Sequence, residues 1–127
     1  MSRPCVLIVD GDILVRHPLA EYLRACGYRV LEAASTAEAR LLFEDGRAPA
    51  VDVVLADVGT PEDGGFALAA WIRARGPGTQ VVLAGSPDAA ADKARDICDE
   101  GPALAKPYDH RLVLDRIKRL LAARDRS

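Results

Sequence analysis

The chain has no apolar run near the ~18 residues a helix needs to cross a bilayer, so no membrane span is expected. Its opening, MSRPCVLIVD, reaches acid after an apolar stretch too short for a secretory signal, and a cytoplasmic setting is expected. Cysteine is scarce. Cys5, Cys26 and Cys98 are odd in number, widely spaced and form no CxxC pair. That disfavours zinc and a redox pair, and reduced, buried thiols are expected. Neither charge sign dominates: 17 Lys and Arg face 19 Asp and Glu, a net charge of -2. Nothing therefore draws the whole chain to nucleic acid. GxGxxG and the GxxxxGK[ST] loop are both missing, which removes the signatures of dinucleotide and nucleoside triphosphate sites. With no internal repeat, low-complexity tract or linker, one domain over residues 1–127 is expected.

What is present is a core-forming composition. Half the residues are hydrophobic and 28% are charged, as in a soluble globular domain, and the length suffices to bury a core. The stretch VLIVDGD runs four apolar residues, Val6 to Val9, into Asp10, Gly11 and Asp12. A continuous apolar run ended by acid and glycine suggests a strand buried on both faces, as in a parallel sheet. A helical period follows over 14–26, closed by Gly27 as a C-terminal cap, with Pro18 tolerable only if the helix begins late or kinks. A second strand is expected over 28–33. Ser35 and Glu38 have capping-box spacing for a helix to about Glu44. A third buried strand, 51–57, ends in Asp57, and the turn-rich GTPEDGG leads to a helix over 66–74. On that helix Phe66, Leu68, Ala69 and Ile72 are expected to share a side, and Trp71 to serve packing. A fourth strand covers 81–84. Ser86-Pro87 reads as an N-cap and first helical position for a helix to about Cys98. A short fifth strand is expected over 101–105, with a last helix from Asp109 to about Ala123. The apolar stripe of that helix reads as core and its basic side as a solvated or docking face. Five β-α repeats imply a parallel sheet covered by helices on both faces.

In such sheets ligands bind beyond the carboxyl ends of strands, where the winding reverses. Asp10 ends the first strand, Asp57 the third, and Lys106 follows the fifth. Two acids and a lysine at strand ends suit a hard cation and a phosphoryl group. Asp12 and Asp52 taken singly read as turn or cap residues, His17 and His110 as surface residues, and Ser86 as a cap.

Together VLIVDGD, VDVVLADVGTPEDGG and LAKPYD, in this order and spacing, resemble the receiver domain of two-component response regulators over essentially the whole length. The resemblance implies a flavodoxin-like (βα)5 fold with strand order 2-1-3-4-5. It implies that Asp57 accepts a phosphoryl group from the phosphohistidine of a sensor kinase or phosphotransfer protein, that Asp10, Asp57 and the backbone carbonyl of Gly59 hold Mg2+, and that Lys106, followed by Pro107, contacts the phosphoryl oxygens. Asp57, Pro61 and Gly65 keep the D-x-x-x-P-x-x-x-G spacing. The domain would be a signalling module and not an enzyme, with a protein as downstream partner and a dimer or docking face on the fourth helix, fifth strand and last helix. No DNA-binding segment is read in the sequence, so no direct nucleic-acid contact is expected. Three positions depart from the pattern. Gly11 stands where a second acid usually ligates the metal, so weak magnesium binding is expected, with Asp12 as a substitute ligand if it reaches back. Gly85 stands at the usual Thr/Ser switch, a role open to Ser86 only if the strand end is offset by one. Ala103 replaces the usual aromatic reporter. The alternative reading is a receiver-like adaptor whose output is independent of phosphate.

Overall fold

The computed structural model describes residues 4–46, 50–60, 64–75 and 78–100. The expected fifth strand, Ala103, Lys106, Pro107, His110 and the last helix lie outside these residues, as does Pro61. The described elements are β1 (Cys5–Val9), α1 (Ile13–Ala25), β2 (Arg29–Ala33), α2 (Thr36–Glu44), β3 (Val53–Asp57), α3 (Gly65–Arg75), β4 (Gln80–Ala84) and α4 (Pro87–Glu100). All strands pair in parallel, in the order β2-β1-β3-β4. This is the flavodoxin-like order expected for the first four strands.

The apolar run of β1 is buried throughout because β1 sits inside the sheet with side chains alternating between two cores. Val6 and Ile8 face a cluster formed with α1 (Val15, Leu19, Leu23) and α4 (Ala91, Ala94, Ile97). Cys5, Leu7 and Val9 face a second cluster with Ala39 of α2 and Leu68 and Ile72 of α3. Helices α1 and α4 therefore cover one face, and α2 and α3 the other.

Local signals place the helix ends. Asp12 caps α1, accepting from the Leu14 N–H at 2.9 Å. At the far end Gly27 adopts φ 99°, its N–H bonds Arg24 O, and Tyr28 N–H bonds Leu23 O. These are the paired bonds of a Schellman cap, which needs the positive φ that glycine adopts without strain. Because α1 begins at Ile13, Pro18 lies inside it, and a late start is not how the proline is accommodated. In α2, Glu38 N–H bonds Ser35 Oγ, while the Glu38 carboxylate reaches back to Ala34 N–H. Ser86 Oγ accepts from Ala89 N–H to start α4.

Two expectations are overturned. Phe66 does not join the buried side of α3; it is 69% exposed. The buried face is Gly65, Leu68, Ala69 and Ile72, an i, i+3, i+4, i+7 series from which Phe66 is displaced by one residue, about 100° around the helix. The cysteines are not all reduced. Cys26 and Cys98 form a disulfide with Cα atoms 6.0 Å apart, leaving Cys5 as the free, buried thiol. Their sequence separation of 72 hid the pairing, because only the packing of α1 against α4 brings them together.

Candidate functional site

From β1, the chain continues to β2 on one side of the sheet, while β3 lies on the other side of β1. The winding thus reverses between β1 and β3, and a crevice opens beyond their carboxyl ends. The register pairs Val9 with Ala56. Asp57 is the last residue of β3 and Asp10 directly follows β1, so both stand at that crevice.

Asp10 is half-buried and held from several directions. Its N–H bonds Ala33 O, its own carbonyl accepts from Arg16 Nη1 at 2.8 Å, and its Oδ1 accepts from Asp12 N–H at 2.9 Å. Burial pushes its carboxyl above the usual carboxylate range. The Asp12 N–H and the Arg16 charge oppose the shift, but the charges of Asp57 and Asp12 add to it.

Asp57 is also half-buried, and its Oδ2 accepts from Gly59 N–H at 3.2 Å. A Cβ on Gly59 would sit 3.3 Å from that oxygen, so the glycine keeps the carboxylate approachable. Thr60 is 2% exposed, and its hydroxyl donates to the carbonyls of Asp57 and Val9. This brace between the ends of β3 and β1 was missed in the sequence, as was Arg16; a hydroxyl three residues after Asp57 and a base four after Asp12 were the available signals. The backbone beyond Asp57 is fixed by Val58 N–H to Ala84 O and Gly65 N–H to Val58 O, both 3.0 Å. A Cβ on Gly65 would lie 2.7 Å from Asp57 O and 3.0 Å from Val58 Cα. The last glycine of the D-x-x-x-P-x-x-x-G spacing is thus required by the close approach of α3 to the β3 loop.

The remaining residues divide clearly. Asp12 is engaged as the α1 cap, and Ser86 as the α4 cap. Gly85 directly follows the last residue of β4. Gly11 is exposed and adds no carboxylate. Asp52 lies at the opposite edge, accepting from Cys5 N–H at 2.8 Å. His17 is on the surface, 3.4 Å from Glu32, and the Trp71 ring packs against the guanidinium groups of Arg40 and Arg75 and meets Phe43 edge to face. Among the described residues no three His, Cys, Asp or Glu side chains converge as a metal cluster. The described donors that fit a hard divalent ion are the carboxylates of Asp10 and Asp57, a set compatible with magnesium, which retains waters. No helix among the described residues is long and apolar enough to cross a membrane.

A family profile described as the response regulator receiver domain matches residues 6–118. The chain belongs to the receiver-domain family. Its relatives include the transcriptional regulatory proteins GltR and AruR of Pseudomonas aeruginosa. GltR is 31% identical, over 91% of this chain and 48% of its own length; AruR is 32% identical, over 93% and 49%. The receiver thus spans about half the length of the curated relatives it matches. Among solved structures it resembles the chemotaxis response regulator CheY4 of Vibrio cholerae, with TM-score 0.57, 26% identity, and coverage of 94% of this chain and 100% of that one. It also resembles the receiver of an HD domain-containing protein from Pseudomonas fluorescens Pf-5, with TM-score 0.61, 26% identity, and coverage of 98% and 99%. The receiver is a module of two-component signalling, a role carried by interaction between proteins.

Proposed function

We propose that Asp57 is the phosphoryl acceptor of this receiver and that its donor is a phosphohistidine on a sensor kinase or phosphotransfer protein in the cytoplasm. An Asp57 carboxylate oxygen attacks phosphorus as the bond to the histidine nitrogen breaks; the imidazole leaves with the electron pair and takes up a proton. The observation that carries this reading is the pairing of Asp10 and Asp57 on adjacent strand ends at the winding reversal, with the Asp10 carboxyl pushed up by burial and, less strongly, by the charges of Asp57 and Asp12. Asp10, Asp57 and the carbonyl of Gly59 would hold Mg2+, and Lys106 would meet the phosphoryl oxygens. Bound magnesium supplies charge neutralisation for the transferring group. The output is binding of a protein partner, with the α4 side as docking or dimer face.

Incubation with magnesium and acetyl phosphate or phosphoramidate, followed by intact mass measurement, tests the assignment. One hydroxylamine-labile phosphate is expected, and none on Asp57→Asn. A second reading, an adaptor independent of phosphate, is favoured by Gly11 in place of an acid and by the engagement of Ser86 in its cap. Failure to form the adduct even with a cognate kinase selects the adaptor.

A further inference from the structure

We infer that Cys26 and Cys98 form a reversible thiol–disulfide site that fixes the C-terminal half of α4 to α1. Cys26 is the C-cap of α1, and Cys98 lies in the last turns of α4. The two helices share one face of the sheet and one apolar cluster. Beside the bond, the buried Tyr28 hydroxyl donates to Ile97 O at 2.7 Å. The C-terminal part of α4 is therefore held by a covalent link and a buried hydrogen bond to the same turn. Its N-terminal end is held by the Ser86 cap at the end of β4. Helix α1 starts at the acidic edge and Cys26 ends it, so the sulfur pair lies across the sheet from Asp10 and Asp57. Thiol chemistry there restrains α4 without touching the acidic crevice, and the inference does not rest on phosphorylation of Asp57.

The exchange balances through a disulfide co-reactant, either low-molecular-weight or on a dithiol protein. One cysteine thiolate attacks it and expels a thiolate; the second attacks the mixed disulfide and expels the other. Cys26 and Cys98 together lose two protons and two electrons, and the co-reactant leaves as two thiols. In a reducing compartment such a bond persists only transiently. Cys26 and Cys98 are 0% and 1% exposed, so an incoming thiol reaches them only when the packing between α1 and α4 opens. Reduction then follows the opening of the helix it releases.

The test uses the full chain, unphosphorylated, equilibrated with either dithiothreitol or glutathione disulfide. Thiols are counted by alkylation after denaturation, and amide hydrogen exchange is followed across α4. The oxidised form is expected to leave Cys5 as its alkylated residue. Its α4 amides should exchange at least about tenfold more slowly than in the reduced form, in which all three cysteines are alkylated. Cys98→Ala should match reduced wild type and ignore the oxidant, while Cys5→Ala should respond fully. Three free thiols after equilibration with glutathione disulfide would overturn the inference, as would equal α4 exchange in the two wild-type forms. The wild-type comparison stands even if a variant fails to fold.

Discussion

Gly11 and Asp10 show how single residues set the chemistry of the crevice. Gly11 is exposed, and its φ is not among the positive ones, which fall at Gly27 and Gly64. A side chain there meets no backbone penalty of the kind that enforces glycine. Gly11→Asp is therefore expected to fold normally and tighten magnesium by about ten- to a hundredfold, the worth of roughly 1–3 kcal/mol for a charged contact, read by calorimetric titration. Unchanged affinity would mean that this vacancy does not limit the site. Asp10 is a carboxyl whose proton affinity rises on folding, through burial first and the charges of Asp57 and Asp12 next. Such a group weakens the fold at neutral pH, and the penalty is relieved as pH falls through its folded pKa. In metal-free buffer Asp10→Asn, which keeps an oxygen for Asp12 N–H, should raise unfolding free energy at pH 7, with the gain vanishing in acid. Glu32 has the opposite sign. Burial alone would raise it, but hydrogen bonds from Arg16 and His17 and the charges of His17 and Arg24 hold it below the usual range. Its contribution is present above its unfolded pKa and is lost as pH falls through the folded one. Glu32→Gln should cost about 1 kcal/mol in urea unfolding at pH 7 and almost nothing in strong acid.

At the scale of elements, ends mattered more than middles. The caps at Asp12, Ser35 and Ser86 hold their helices through bonds to nearby N–H groups. Ser35 and Ser86 were legible as caps because capping depends on residues adjacent in sequence. Asp12 was legible as acid, but its choice between cap and metal ligand was not, since that depends on where α1 begins. Asp12→Ala should cost about 1 kcal/mol of stability by urea unfolding and leave magnesium affinity unchanged. An equal fall in magnesium affinity would instead make Asp12 a ligand. The start of α3 is set by approach to the β3 loop. Gly65→Ala should destabilise by about 1–3 kcal/mol, because its Cβ presses on the carbonyl of Asp57. If Asp57 is the acceptor, the same change should slow its phosphorylation by acetyl phosphate.

Across the whole molecule, the alternation of strands and helices makes a two-faced sheet whose order brings distant segments together. The Cys26–Cys98 bond links α1 to α4 across 72 residues of sequence. Closing a loop of this size restricts the unfolded chain, and the reduced protein should be less stable than the oxidised one by about 2–4 kcal/mol in matched denaturant titrations. Equal midpoints and slopes for the two forms would show that the bond adds no net stability.

The sequence by itself determined the described strands and helices, the parallel sheet they form, the glycine end of α1 and the acids at the ends of β1 and β3. Each of these is written in neighbouring residues: an apolar run, a helical period, a cap, a turn. The tertiary structure alone decided which thiols meet, which side of α3 is buried, how Thr60 braces Val9, and how strongly Asp10 feels Asp57. These depend on strand order and helix placement, which bring together residues far apart in the chain. The strand ends were visible as acid in the sequence, but only the reversal of winding between β1 and β3 makes them one crevice.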